Sequence, residues 1–360
     1  MKKSGIIAFV FLALLGCREP FEGYDFQSLD TKLVIEAILT DNQELGYVLI
    51  SYTAPIDGQE STDNVPEDGA SVILTDDQGN DYVFYNQGSG KYANTGFAAN
   101  YGTEYRMEVQ VGGNHFESDW QQLPVASTSP MDIIYRPDTI QTLNQLGRPT
   151  NEYAVTLSDD IVKRGKDSFF YWQMNYFYIY DAYGQPDVLH LLPSAKRFCY
   201  LQEHPKPELM IHEDRAIEGL LDTEYSIDIA SVPFGRKMIY DYSVQIIRYN
   251  VPQDRYNYFE QIERQINNDG GIFDSAPSGI EGNFTQTSGN LDVLGYFGVF
   301  NATSQRLFFK QDELPFNKLY LPTDAGSCPG HHAVDLDNTC FNCAAVATPF
   351  NSTTKPDWWR

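Results

Sequence analysis

Basic residues are scarce in this 360-residue sequence. Lysine and arginine number 25 against 49 aspartates and glutamates, and the formal net charge at pH 7 is −24. Phosphate backbones and anionic lipid headgroups repel a chain of this charge. The composition therefore excludes nucleic acid as an expected partner and is compatible with a cationic one.

The sequence also lacks the short motifs of several common enzyme classes. It contains no Gly-x-Ser-x-Gly segment, no phosphate-binding loop and no dinucleotide-binding glycine pattern. Three pairs of adjacent carboxylates could flank a glycosidic bond: Asp76-Asp77, Asp159-Asp160 and Glu213-Asp214. Nothing in the sequence places two of them across a cleft. We therefore predict a protein that is not an enzyme and that needs no cofactor.

The first seventeen residues have the pattern of an exported lipoprotein. Two lysines precede the apolar run Gly5 to Leu15, which is too short to span a bilayer. Leu14-Leu15-Gly16-Cys17 resembles a bacterial lipobox, in which the cysteine receives the lipids and becomes the mature N-terminus. An ordinary signal peptide is the alternative, but the usual Ala-x-Ala cleavage pattern is absent. We predict a signal peptide at 1–16, lipidation of Cys17 and a tether at 17–31.

Cleavage before Cys17 would leave 344 residues with a net charge of −26, because residues 1–16 contain two lysines and no acid. A chain of that length exceeds what one hydrophobic core usually serves, so we expect two domains. No later apolar stretch approaches the ~20 residues of a membrane-spanning helix. A lipid on Cys17 would therefore be the only membrane attachment.

Short apolar segments recur between residues 32 and 126. They lie eight to twelve residues apart and are separated by turn signals such as Asp76–Asn80 and Gly88–Gly90. This spacing is typical of a β-sandwich of about a hundred residues. We therefore predict a mainly β protein whose first domain, 32–126, is a sandwich of the immunoglobulin or transthyretin type.

Residues 127–360 are predicted to form a second β-rich domain with one or two helices. Periodicity predicts strands at Tyr153–Leu157, Met238–Tyr249, Leu294–Phe300 and Arg306–Phe309. Gln253–Asn268 has apolar residues at helical spacing and is followed by two glycines within three residues, which predicts a helix.

The most aromatic segment is Phe169 to Tyr180, in which eight of twelve residues are aromatic. Such a run suits a central strand packed on both faces, or a binding platform for sugar or peptide. The first interpretation is favoured, and the sequence leaves the second open.

Past Cys17 the sequence contains four cysteines: Cys199, Cys328, Cys340 and Cys343. An even number in an exported protein predicts two disulfides, for which three connectivities exist. The last three cysteines, together with His331, would also suit a tetrahedral zinc site, which is the weaker alternative. We favour disulfides and no metal.

The end of the chain needs such an anchor. Thr323 to Lys355 has few periodic apolar residues and cannot order itself by burial alone. A cross-link to Cys199 would close a loop of more than a hundred residues. Trp358 and Trp359 could then cap the core as a hydrophobic latch.

Motifs in both halves resemble one known family. The first half contributes Leu33-Val34-Ile35-Glu36-Ala37, Pro66-x-x-Gly69-Ala70-x-Val72 and Gly102-Thr103-x-Tyr105. The second half contributes Gly270–Asp274, Gly282-Asn283, Val293–Gly298, Cys340-Phe341-Asn342-Cys343 and Lys355–Trp359. With the lipobox, these motifs resemble the Bacteroidota lipoproteins described as domain of unknown function 4249. Ala344–Ala347 departs from the pattern, because the family often has glycines there.

The resemblance implies a lipid-anchored protein of the outer membrane, on either its periplasmic or its outer side, and implies no activity. Such proteins often occur beside TonB-dependent receptors. We therefore expect an accessory subunit that docks on such a receptor, or on another barrel protein, and helps to capture or admit a nutrient. The alternatives are a surface hydrolase acting on glycan or peptide, and a structural subunit of an outer-membrane assembly or secretion machine.

Overall fold

The computed structural model describes residues 31–53, 64–124, 131–143, 146–163, 167–182, 195–203, 209–214, 223–266, 280–317, 342–346, 348 and 350–360. The predicted mainly β class is confirmed. The strands are β1 Leu33–Thr40, β2 Tyr47–Tyr52, β3 Val65–Pro66, β4 Ser71–Asp76, β5 Asp81–Gly88, β6 Lys91–Ala93, β7 Glu104–Val111, β8 Asn114–Ser118, β9 Gln121–Gln122, β10 Ile133–Leu143, β11 Pro149–Lys163, β12 Ser168–Asp181, β13 Phe198–Glu203, β14 Met210–Asp214, β15 Thr223–Pro233, β16 Tyr242–Val251, β17 Phe284–Ser288, β18 Val293–Phe309 and β19 Asn351–Ser352. Among these residues one α-helix, α1, spans Gln253–Ile266, and short 3-10 turns span Arg236–Met238, Gln311–Glu313 and Cys343–Ala345.

Sixteen of the described strands form one continuous hydrogen-bonded sheet. Its order is β17-β8-β7-β4-β5-β6-β2-β1-β18-β16-β12-β13-β19, with β3, β9 and β14 paired at its sides. The other three strands form a separate sheet in the order β10-β11-β15. Within the described part of the chain, no helix has the length and apolarity needed to cross a membrane.

The N-terminal strands enclose one core, as their alternating sequences predict. β7 shows the pattern most clearly, because Tyr105, Met107 and Val109 are buried while the residues between them are not. Side chains of β1, β2, β4, β7 and β8 meet in this core. Period-two alternation places every second side chain on the same face of a strand, which is why the sequence predicts these elements well.

The predicted strands Leu294–Phe300 and Arg306–Phe309 are parts of one 17-residue strand, β18. The residues between them, 301–305, are mostly polar, but β18 continues through them. Its first part pairs in parallel with β1 and its second part pairs antiparallel with β16. The sheet therefore crosses the predicted division between 32–126 and 127–360, and that division stays a prediction.

Gly295 makes the parallel pairing with β1 possible. Its φ is +108°, and a Cβ at this position would lie 2.0 Å from the carbonyl oxygen of Ile35. No side chain fits so close to a neighbouring backbone, so glycine is required here.

The aromatic run lies in β12, which is a central strand. β12 pairs with β16 along one edge and with β13 and β14 along the other. Phe170 and Trp172 are buried in the core beneath the three-stranded sheet, and Phe169 is buried in a second core beneath α1. The interpretation of this run as a strand packed on both faces is confirmed.

Helix α1 begins where predicted and spans Gln253–Ile266, and the last two residues of the predicted helix, 267 and 268, lie outside the described residues. Phe259 is buried against the sheet, with its ring centroid 4.6 Å from that of Tyr171. Arg255 in the first turn is also buried, and its guanidinium lies over the rings of Phe259 and Tyr296. The predicted strand Met238–Tyr249 is shifted, because a 3-10 turn ends at Met238 and β16 begins at Tyr242.

A polar network covers the outer face of the three-stranded sheet. Arg136 donates to both carboxylate oxygens of Asp228, at 2.8 and 2.6 Å, and Ser158 donates to the same carboxylate at 2.6 Å. The hydrogen bonds from Arg136 and Ser158 lower the pKa of Asp228 to about 2. The network therefore depends on an ionised Asp228.

Acidification should remove the contribution of Asp228 to stability. Because its folded-state pKa is depressed, this contribution is complete above about pH 4 and is lost as the pH falls towards 2. We expect the effect to stay below about 1 kcal/mol, since both partners are about half exposed. Asp228→Asn should be less stable than wild type at pH 6 and equally stable at pH 2 in urea unfolding. The matched control is Asp312→Asn, an exposed acid, and an equal response to pH in both variants would contradict the assignment.

Candidate functional site

The structure places two of the five predicted site cysteines together. Cys199 and Cys343 form a disulfide with a Cα–Cα distance of 5.6 Å. Because Cys343 is bonded to Cys199, it is not free to serve as a thiolate ligand in the zinc alternative. Cys17, Cys328, His331 and Cys340 lie outside the described residues, as do the predicted signal peptide and most of the tether.

The disulfide fixes the end of the chain to the large sheet. The Cys343 N–H donates to the carbonyl of Lys196, and β19 pairs with β13 next to Cys199. Trp359 is buried, with its ring 5.1 Å from Tyr200 and 5.9 Å from Phe308. Trp358 is more exposed and covers the guanidinium of Arg306 at 3.8 Å. The predicted tryptophan latch is confirmed, with Trp359 as its buried member.

The adjacent carboxylates Asp159 and Asp160 do not act at one site. Successive side chains of a strand point to opposite faces, and only Asp159 is buried beneath the three-stranded sheet. There Arg248 Nη1 donates to its two oxygens at 3.2 and 3.0 Å, and Trp172 Nε1 donates at 2.8 Å. This is a buried ion pair with an indole as its third member.

The electrostatics of Asp159 are set by its burial. Burial raises the pKa of this carboxyl, while the attraction of Arg248 and the indole hydrogen bond oppose the rise. Side-chain exposure is 0% for Asp159 and 4% for Arg248. We assign the pair a structural role, since it joins β11 to β16 inside the core.

The candidate binding site is a cleft of about 600 Å³ between the two sheets, named here the inter-sheet cleft. Its volume lies in the range of about 300–1,000 Å³ that is typical of small-molecule sites. The described residues that line it are Ile140, Met174, Tyr176, Glu203, Ala230, Ser231, Val232, Pro233, Gly235, Arg236, Lys237 and Tyr242.

The floor of the inter-sheet cleft is aromatic and its rim is charged. Tyr176 and Tyr242 are roughly parallel, with ring centroids 6.2 Å apart. At the rim, Lys237 forms an ion pair with Glu203 and lies over the Tyr178 ring. Burial raises the pKa of Tyr178 to about 12, so its hydroxyl is neutral at physiological pH. The arrangement offers apolar contact inside and charge at the entrance.

Sequence reasoning missed this cleft. Its lining comes from segments scattered between Ile140 and Tyr242, and only the pairing of the sheets brings them together. One signal was present: Arg236 and Lys237 are consecutive cations in a chain with only 25 basic residues. The Asp159–Arg248 pair left no such signal, since its members are 89 positions apart.

Comparison with known proteins identifies one family. A family model described as a domain of unknown function (DUF4249) matches residues 18–306. The match covers β1 to β9 and every described residue that lines the inter-sheet cleft, and it ends before the Cys343 tail. No curated protein and no solved structure matches the chain.

Proposed function

Since the chain belongs to the DUF4249 family, we propose that it is a non-enzymatic lipoprotein of the outer membrane. The lipobox pattern at Leu14–Cys17 supports anchoring through a lipid on Cys17. The protein would dock as an accessory subunit on an integral barrel protein, with a TonB-dependent receptor as the first candidate. There it would help to capture or admit a nutrient.

The observation that carries the docking proposal is the hairpin of β10 and β11. β11 pairs with β15 from Ala154 onward, and the earlier part of β11, from Pro149, pairs with β10 as a two-stranded ribbon. At its tip Leu143 is 70% exposed and Leu146 is 76% exposed. Projecting apolar side chains favour contact with another protein over contact with water. We therefore assign the hairpin tip, Leu143 and Leu146, as the docking element.

Affinity purification tests the docking proposal. The tagged, lipid-modified chain is isolated from detergent-solubilised outer membranes of the native cell, and its partners are identified by mass spectrometry. We expect one integral barrel protein in stoichiometric amount. Recovery of the lipoprotein without such a partner would contradict docking. Turnover on a polysaccharide or peptide panel would instead support the hydrolase alternative.

The hairpin tip has a matched control elsewhere on the surface. Leu143→Asp combined with Leu146→Asp should abolish recovery of the barrel protein, because two charges would have to be desolvated in the contact. Tyr85 on β5 is 66% exposed and lies in the sandwich. Tyr85→Asp should leave recovery unchanged. Equal recovery with both variants would show that the tip does not form the contact.

Lipidation is tested separately with Cys17→Ala. Several acyl chains hold a protein firmly at about 0.8 kcal/mol per buried methylene, so their loss removes the only predicted anchor. We expect the variant to be released to the periplasm or to stay unprocessed. Normal fractionation of Cys17→Ala with the outer membrane would contradict the prediction.

A further inference from the structure

We propose that the inter-sheet cleft binds a small amphipathic anion, with an apolar body on the tyrosine floor and one carboxylate paired with Arg236. This proposal does not depend on docking, because it is argued from residues of this chain that line the cleft and needs no partner protein. It assigns a ligand class to a site, whereas the docking proposal assigns a protein partner to the hairpin tip.

The lining of the cleft favours a ligand whose main part is apolar. Met174, Tyr176 and Tyr242 form the floor, and Val232 and Pro233 at the end of β15 form a wall. Burial raises the pKa of Tyr242, so its phenol stays neutral and offers a ring face and a hydrogen-bond donor. An aromatic or branched aliphatic group gains most from such a surface.

The charges of the cleft favour a ligand with a single negative group. Among the described residues that line the cleft are two cations and one carboxylate, a net charge of +1, whereas the whole chain carries −24. The Glu203 carboxylate is already paired with Lys237. Arg236 is exposed and forms no ion pair with the described residues. The remaining positive charge therefore belongs to Arg236, and its planar guanidinium suits a carboxylate.

The position of Arg236 at the rim is fixed by its neighbours. It begins the 3-10 turn that ends at Met238, which is buried in the core between the sheets. The Met238 N–H donates to the carbonyl of Gly235 at 2.8 Å. The turn is thus anchored through Met238, and Arg236 at its start is exposed and lines the cleft.

A carboxylate and its neutral amide test the charge selection. The full-length lipoprotein in lipid nanodiscs is titrated with indole-3-acetate and with indole-3-acetamide, using saturation-transfer NMR and protein-free nanodiscs as background. We expect saturable binding of both, with the carboxylate bound about tenfold more tightly, since one charge-assisted hydrogen bond is worth at least that factor. If neither probe shows saturable binding, the proposal is wrong.

Variants then locate the binding to the cleft. Arg236→Gln should remove the preference for the carboxylate and leave amide binding unchanged. Arg264→Gln changes the net charge equally but lies on α1, and it should behave like wild type. Ile140→Trp would fill the cleft and should abolish binding of both probes. If Ile140→Trp does not fold, Ala230→Phe serves as the cleft-filling variant instead. A preference that survives Arg236→Gln, or binding that survives a folded cleft-filling variant, would overturn the proposal.

Discussion

Replacing Arg248 with methionine should lower the free energy of unfolding by about 3–5 kcal/mol, because it leaves the Asp159 carboxylate buried without its partner. Asp159 is fully buried, and without Arg248 its carboxylate would keep the hydrogen bonds from the Trp172 indole and the Asp132 backbone but no opposite charge. Urea unfolding of wild type and variant, followed by circular dichroism, measures the loss. The expected decrease in the free energy of unfolding is this large because a buried charge loses its partner, and not merely because one favourable contact is removed.

A double variant separates these two explanations. Asp159→Asn combined with Arg248→Met removes both charges and keeps an oxygen that accepts from the Trp172 indole. We expect it to regain most of the lost stability, since neutral replacements of buried ion pairs are often well tolerated. A double variant as unstable as Arg248→Met would contradict the buried-charge explanation.

The decrease in the free energy of unfolding caused by Arg248→Met should also become smaller as the pH is lowered from 7 to 4. Burial already raises the pKa of Asp159, and without Arg248 the main opposing attraction is gone. A carboxyl with a raised folded-state pKa costs stability only when ionised, so the cost is absent below its unfolded pKa of about 3.9 and grows as the pH rises above it. A pH-independent loss would show that Arg248 acts through packing alone.

Replacing Cys343 with serine should destabilise the protein by about 4–5 kcal/mol in the chain-entropy model. The Cys199–Cys343 disulfide joins residues 144 positions apart, and its removal frees that loop in the unfolded chain. Denaturant unfolding under non-oxidising, metal-free conditions measures the loss. Mass spectrometry of the alkylated, non-reduced protein should show the Cys199–Cys343 pair in wild type.

The tail supplies an independent readout of the same disulfide. In Cys343→Ser the latch is held by the Trp359 contacts and by the short pairing of β19 with β13. Limited proteolysis should therefore release the C-terminal segment faster than in wild type, while cleavage within β1 to β9 is unchanged. Adding a reductant to the wild-type protein should raise its rate of C-terminal release towards that of the variant. Equal stability and equal proteolysis of the two proteins would contradict an anchoring role for Cys343.

Local periodicity in the sequence determined most of the individual elements. Alternating apolar residues specified strands such as β1 and β7, and helical spacing specified α1 over the described residues Gln253–Ile266. The aromatic run was also interpretable as a central strand, because a strand packed on both faces needs apolar side chains at successive positions. These features depend on neighbours within a few residues, which is the range over which a sequence pattern carries information.

Tertiary structure alone decided the long-range features. The continuity of β18 through its polar middle depends on pairing with β16, and the choice of Cys199 as the partner of Cys343 depends on β13 meeting β19. The Asp159–Arg248 pair and the inter-sheet cleft likewise join residues that are far apart in the chain. The amino-acid sequence determined the strands and the helix, because each follows from local chemistry, whereas the lipoprotein signal stays a prediction. It did not determine which strands meet, since that depends on the summed burial and pairing of the whole chain.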